Sequence, residues 1–408
     1  MKKLLSLALS MSMLFALVSC GGTPANSNPG GAGADVSSSA GSGAPSSGGE
    51  PIKIGFFAPI TSAAASADGE STKNSVELAI KILNDAGGID GRKVELVWYD
   101  DGLDTSQAVS IAEKLTTKDG VCAVVSGSYS GPTRVAAPIF QAAGIPMMSA
   151  YAVHPDVVNA GDYVFSQSFP GKVQATAAAY FAVNELKAKN IAIIAVDLDF
   201  GTEQASAFKA YAEANGATII SEDFVAMADN EFSSIVTKVK SLNPDLIYLP
   251  NYYGHAAEVL KQCKVQGVEC AILGCEGADS WQFFETAGEY AEGFYITTNL
   301  DRDSQDPAVQ EYIQLYSETY SKMPDMTGAS AYDAMQILFE AIKTAGTDPA
   351  AIRDAITGMT NIDTVTGTLY RYTAAGSAVK PVQIQVVKDG AFHHYGVIED
   401  ESIIVPEN

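Results

Sequence analysis

The sequence predicts an α/β protein of two lobes, each a doubly wound parallel sheet, and three observations lead there. Short runs rich in Val and Ile alternate with longer stretches of helical period, the pattern of strand–helix–strand units. The strand runs are apolar on both faces, as strands covered by helices are, with right-handed crossovers between them. The rhythm also occurs twice, over residues 52–168 and again over 191–299. A chain of 408 residues can build two such domains with real cores.

Residues 1–19 come before this pattern and read as a processing signal. Lys2 and Lys3 start it, and the apolar run "LLSLALSMSMLFALV" is too short for a comfortable membrane span. It ends in "LVSC", a small residue before Cys20, with Gly21 and Gly22 behind. This ending resembles the bacterial lipobox, which implies cleavage before Cys20 and a diacylglycerol on its thiol, an anchor and not a spanning helix. An ordinary secretory signal with a chance cysteine is the other reading. Residues 20–50 are almost entirely Gly, Ser, Ala, Pro, Asn and Thr, with no apolar period to offset chain entropy, and read as a flexible tether. The folded part starts at about Pro51.

The first strand series is "IKIGFFAPI" (52–60), "KVELVWYD" (93–100), "CAVVSG" (122–127), "IPMMSA" (145–150) and "YVFSQS" (163–168). Between the first two strands, "GESTKNSVELAIKILNDAGG" places Val76, Ala79, Ile80 and Leu83 on one helical face and closes with Gly87 and Gly88. Asp104 precedes the next helix with Gln107 at capping-box spacing. The second series is "IAIIAVD" (191–197), "ATIISEDF" (217–224), "DLIYLPN" (245–251), "AILGC" (271–275) and "GFYITTN" (293–299), with helices at 202–214, 231–242 and 254–266. Three further helical stretches follow, then "TGTLYRY" and a hairpin turning at Asp389-Gly390. Two lobes of this build leave a cleft between them, and ligands of open α/β sheets collect at the carboxyl ends of the strands.

Composition narrows the function. A net charge of −23 argues against nucleic acid and against adhesion to anionic lipid. Cys122 opens an apolar strand as a buried thiol, and Cys263, Cys270 and Cys275 lack CxxC spacing or a partnering histidine, so no metal site is read. A bridge between Cys263 and Cys270 stays open. The stretch "SGSYSGPT" (126–133) follows the third strand, where a nucleophile elbow would need serine at the centre of G-x-S-x-G, but Tyr129 stands there. A Walker loop would need a lysine and another spacing, and the dinucleotide fingerprint is absent after the first strand. His154, His255, His393 and His394 have no nucleophile at a telling interval and read as surface or loop residues. The chain does not read as an enzyme, and no cofactor is called for.

The stretches "IKIGFFAPITS", "NDAGGIDGRK" with "YDD" behind it, "SGSYSGPTRVAAPIFQAAGIPMMSAYAVHPDV", "ILGCEGADS" and "TGTLYRYTAAGSAVKPVQIQVVKDG" carry a resemblance. The chain resembles the substrate-binding proteins of ABC importers for branched-chain amino acids, the Leu/Ile/Val-binding type, from Ile52 to about Gly396. The resemblance implies the type I periplasmic binding protein fold: two Rossmann-like lobes joined by a three-crossover hinge, closing on ligand like a Venus flytrap. It implies an N-terminal lobe of 51–170 plus 302–362 and a C-terminal lobe of 171–301 plus 363–408.

The resemblance also implies a ligand site. Ser130 would present its hydroxyl and the free amides of a helix N-terminus to a ligand carboxylate, a sensible pairing because that end carries partial positive charge. Tyr151, Ala152 and Val153 would form the next ligand loop, Phe200 and Tyr252 would supply rings, and Glu276 would pair with the ligand ammonium. Two positions depart from the family: Val153 where threonine is usual, and Asp68 where an aromatic is usual. Asp68 either favours a second amine or amide on the ligand or is simply exposed. The expected function is capture of an amino acid or related small zwitterion and delivery to permease subunits, by a monomer anchored through Cys20. Its place would be the outer face of the cytoplasmic membrane, or the periplasm of a two-membrane host. The alternative is a sensor of an amide, urea or aromatic carboxylate that reports to a signalling partner.

Overall fold

In a computed structural model of the chain, the described residues are 49–406. The signal segment, Cys20 and most of the tether lie outside them. The first sheet contains β1 (Ile52–Ala58), β2 (Val94–Asp100), β3 (Ala123–Ser126), β4 (Met147–Ser149) and β5 (Val164–Ser166). Its order is β2-β1-β3-β4-β5 and every pair is parallel, with Ile52 opposite Val94 and Ile54 opposite Ala123. The helices between these strands are α1 (Ser66–Asp85), α2 (Thr105–Thr117), α3 (Ser130–Ala143) and the short α4 (Pro155–Val158). Asp104 caps α2 by accepting from the amides of Ser106 (2.7 Å) and Gln107 (3.1 Å). Gly144, in the left-handed region at φ 66°, ends α3.

The second half repeats the plan with α5 (Gly171–Tyr180), β6 (Asn190–Val196), α6 (Asp199–Ala214), β7 (Thr218–Val225), α7 (Ser233–Ser241) and β8 (Leu246–Leu249). It continues with α8 (Tyr253–Val265), β9 (Ala271–Gly274), α9 (Trp281–Ala287) and β10 (Tyr295–Thr298). Then come α10 (Pro307–Tyr320), α11 (Met326–Ala345), α12 (Pro349–Thr357), β11 (Thr360–Ile362), β12 (Leu369–Tyr372), β13 (Ala378–Val379), β14 (Val382–Lys388), β15 (Ala391–Ile398) and α13 (Glu401–Ile404). The second sheet has the order β15-β14-β10-β9-β8-β6-β7, with β14 and β15 as an antiparallel edge hairpin turning at Asp389 (φ 51°) and Gly390 (φ 76°). Strands β11–β13 form a small sheet of their own, tied to β5 by a bridge between Ser377 and Ser166.

The chain passes between the lobes three times: after β5, after β10, and again before β14. Helices α10 and α11 return to pack along α1. Buried Phe56, Val125, Met148 and Phe339 belong to the core around the first sheet, and Ile247, Leu249, Phe283 and Phe294 to one around the second.

Several expectations shift. Helix α1 begins at Ser66, ahead of the segment read from the sequence, and Gly69 lies within it at a point where a Cβ would be 2.6 Å from the Pro59 carbonyl oxygen. His255 is not a surface residue: it is buried on α8 with its ring edge-on to Phe232 at 5.3 Å. Cys122, Cys263, Cys270 and Cys275 are all free, so Cys263 and Cys270 are not bridged. Among the described residues no helix is long and apolar enough to cross a membrane, and no His/Cys/Asp/Glu group is arranged to hold a metal ion.

Candidate functional site

Strand order decides where a cleft can form. In the first sheet the winding reverses between β1 and β3, so α1 and α3 leave on opposite sides and open a crevice at the strand ends. In the second sheet the reversal lies between β6 and β8, where α6 and α8 begin. Asp68 sits in the first turn of α1, Ser130 opens α3, Phe200 lies in the first turn of α6, and Tyr252 immediately precedes α8. Glu276 follows β9, and Tyr151–Val153 follow β4. All eight residues singled out in the sequence line a single cavity between the lobes, with about 380 Å³ of empty space that includes its opening to solvent.

At the Ser130 corner the N-terminus of α3 borders the cavity. Tyr129 precedes α3 without capping it through its side chain, and the Thr133 amide already bonds the Tyr129 carbonyl. The amides of Ser130 and Gly131 come before any intrahelical acceptor, and Pro132 has none to satisfy. Gly127 lets this loop descend onto Phe56, because a Cβ there would lie 2.7 Å from the Phe56 ring. Behind this corner, Ser126 and Thr133 join their hydroxyls at 2.7 Å.

Opposite stands Glu276, 3% exposed. The Ser168 hydroxyl reaches its Oε2 at 3.4 Å. Burial pushes its carboxyl up to about 8, against the pull of Ser168 and Gln174, and Asp279 adds to the rise. No lysine or arginine is among these groups.

Rings close the remaining sides. Tyr129 stacks on Tyr252 (4.6 Å, 9°), which stacks in turn on Phe200 (5.0 Å, 19°), so a column of three rings crosses the cleft. Tyr151 meets Tyr129 edge-on at 6.0 Å and donates its hydroxyl to the Gly127 carbonyl at 2.9 Å. Phe200 lies over Gly277, where a Cβ would be 3.2 Å from its ring and 2.8 Å from the Asn251 carbonyl oxygen, so this position requires glycine. Asp68 is not exposed: it is buried, and its Oδ2 accepts the Tyr129 hydroxyl at 2.6 Å.

Tyr129, Gly277, Met326 and Thr327 also line the cavity and were not singled out. Tyr129 stands in "SGSYSGPT", directly before Ser130. Met326 and Thr327 open α11, which the third stretch of chain brings back to the first lobe, and no local motif marks them.

A sequence profile of the family described as "Periplasmic binding protein" matches residues 51–391. The Leu/Ile/Val-binding protein homolog 3 of Brucella melitensis is 30% identical over 333 residues, covering 81% of this chain and 89% of the relative. Among solved structures, a branched-chain amino acid transporter substrate-binding protein from Streptococcus pneumoniae, in complex with isoleucine, is 26% identical. It superposes with a TM-score of 0.80 over 85% of this chain and 99% of that one. A leucine-binding protein from Thermotoga maritima is 27% identical, with a TM-score of 0.78 over 86% of this chain and 99% of the other. The two solved structures share the fold of this chain.

Proposed function

Because the chain belongs to the periplasmic binding protein family, we propose that it is the solute-binding lipoprotein of an ABC importer, capturing an amino acid between its lobes and presenting it to the permease. It is a binding protein and not an enzyme, as its relatives are. The observation that carries the ligand class is the charge pattern of the cleft: helix amides at Ser130 on one side, and a buried carboxyl without a cation at Glu276 on the other. An α-amino acid supplies the missing charges in the matching order. Its carboxylate takes the Ser130 and Gly131 amides, and its ammonium pairs with Glu276. Closure excludes water and strengthens both contacts. In this reading the ligand docks on Ser130 and the 151–153 loop, and Phe200, Tyr252 and Glu276 then close over it. Val153 contributes only apolar contact to the head group.

The test is calorimetric titration of the full-length chain, stripped of carried-over ligand, with the proteinogenic amino acids and with short amides, urea and benzoate. Tight binding of an α-amino acid, reduced at least ~100-fold by Glu276→Ala, supports the assignment. Binding only of ligands that lack an ammonium overturns the role of Glu276.

A further inference from the structure

We propose that the Asp68 end of the cleft is a second cation site, so that the preferred ligand is an amino acid bearing an extra protonated amine, in the manner of ornithine or lysine. This rests on the amino-acid reading above and narrows it.

The geometry sets Asp68 apart from Asp325, Asp333 and Asp279, three other buried acids. Asp325 accepts from the Thr327 hydroxyl and the Gly328 amide, both at 2.9 Å, and from the Ser71 hydroxyl at 2.5 Å. Asp333 accepts from the amides of Val365 and Thr366 and lies beside Lys380. Asp279 is gripped by Arg302. Asp68, by contrast, lines the cavity while 4% exposed, and accepts a hydrogen bond from the phenol of Tyr129. The titratable groups that act on it, or that it acts on, come from every surrounding element: Tyr129 before α3, Tyr151 after β4, Tyr252 and Tyr253 at α8, Asp279 after β9, and Asp325 before α11. None is a base.

A buried carboxylate among acids and phenols either stays protonated or meets a cation from outside the chain. Burial, and Asp325 after it, raise the Asp68 carboxyl to about 8. A neutral aliphatic side chain would cover this acid and leave it unpaired. An alkylammonium would pair with it, while Tyr129, Tyr151 and Tyr252 enclose the methylenes and keep water out. The charge count agrees: one helix N-terminus and two buried acids match a ligand with one carboxylate and two ammonium groups.

The experiment is titration calorimetry of the full-length chain with ornithine and lysine against citrulline and norleucine, in two buffers of different ionisation heat at pH 7. The expected result is at least tenfold tighter binding of the basic amino acids, with about one more proton released per ligand bound than for norleucine. In Asp68→Asn the preference falls to within about threefold and the extra proton disappears. Tyr129→Phe, which keeps the stacked ring and removes the hydroxyl on Asp68, is the second variant should Asp68→Asn fold poorly, and it should change the basic-to-neutral ratio more than norleucine binding itself. Equal affinity for basic and neutral isosteres, or a preference that survives Asp68→Asn, overturns the proposal and leaves the amino-acid reading intact. Capture of a diamine without a carboxylate, lost in Asp68→Asn, upholds the cation site and overturns the amino-acid reading instead. Silence towards amino acids and diamines alike overturns both.

Discussion

Glu276 and Asp279 lie on the same short segment after β9, both buried, and the protein treats them in opposite ways. Asp279 is held by both terminal nitrogens of Arg302 and by the Thr298 hydroxyl at 2.6 Å. Arg302 goes on to the Gln385 side chain at 3.0 Å and the Pro324 carbonyl at 3.2 Å, so one guanidinium ties this segment to β14 and to the approach to α11. Glu276 has hydroxyl and amide neighbours and no cation. Asp279 is neutralised inside the chain by Arg302, whereas Glu276, in the reading proposed above, is left for the ligand to neutralise. Asp68 belongs with Glu276 in this division.

The largest effect should come from breaking the structural pair. Arg302→Ala leaves Asp279 buried without its partner and cuts three connections at the second crossing, a loss of ~3–5 kcal/mol. The thermal midpoint should fall by about 10 °C. Glu276→Gln is the counterpart: it removes an unpaired acid, so the ligand-free midpoint should hold or rise while amino-acid binding collapses. If Arg302→Ala melts with the wild type, the distinction between the two acids fails.

The same contrast has a pH signature. Asp68 and Glu276 both have folded-state values raised to about 8, above the ~4 of an unfolded chain. Between pH ~4 and ~8 the unfolded state gives up these protons and the folded state keeps them. Ligand-free stability should therefore be complete below pH ~4 and fall as pH rises through ~8, each acid costing on the order of 3 kcal/mol by pH 7. Denaturant titrations at pH 5 and pH 7 should show the decline, to which the raised carboxyls of Glu203 (about 7) and Asp325 (about 6) add; Glu276→Gln should remove part of it, and saturating ligand should reduce it. A ligand-free stability that rises from pH 5 to pH 7 would mean that other groups dominate and that neither acid is kept protonated.

What the sequence made legible follows from which interactions are local. Strand and helix alternation, the Asp389-Gly390 turn and the helix start after the third strand are written in neighbouring residues, and these local features are present. The positions of Asp68, Phe200, Tyr252 and Glu276 on one cavity could be inferred only by resemblance, because strand order, and not sequence spacing, brings four loops together. The burial of Asp68 and His255 was not legible. Each depends on elements distant in the chain: the loop before α3 supplies the Tyr129 hydroxyl to the first, and Phe232, ahead of α7, lies against the second. The Arg302 clamp was invisible for the same reason, since its acceptors come from residues 279, 324 and 385.

The smallest effect concerns the ring column, where one residue has contacts of two kinds. Tyr252 stacks on Phe200, which belongs to the same lobe, and on Tyr129, which belongs to the other. The first stack persists whether or not the lobes meet; the second exists only when they do. Each is worth ~0.5–1.5 kcal/mol beyond burial. Tyr252→Leu keeps apolar bulk and removes both, so the ligand-free unfolding midpoint should drop slightly, by the Phe200 share. Ligand affinity should drop about two- to tenfold, by the Tyr129 share, since closure then lacks a contact that forms only when the lobes meet. Tyr252→Phe retains both stacks and should behave as the wild type in stability. If Tyr252→Leu lowers the midpoint but leaves affinity untouched, the column is packing within the second lobe, and closure is driven by the charges at Ser130, Glu276 and Asp68 alone.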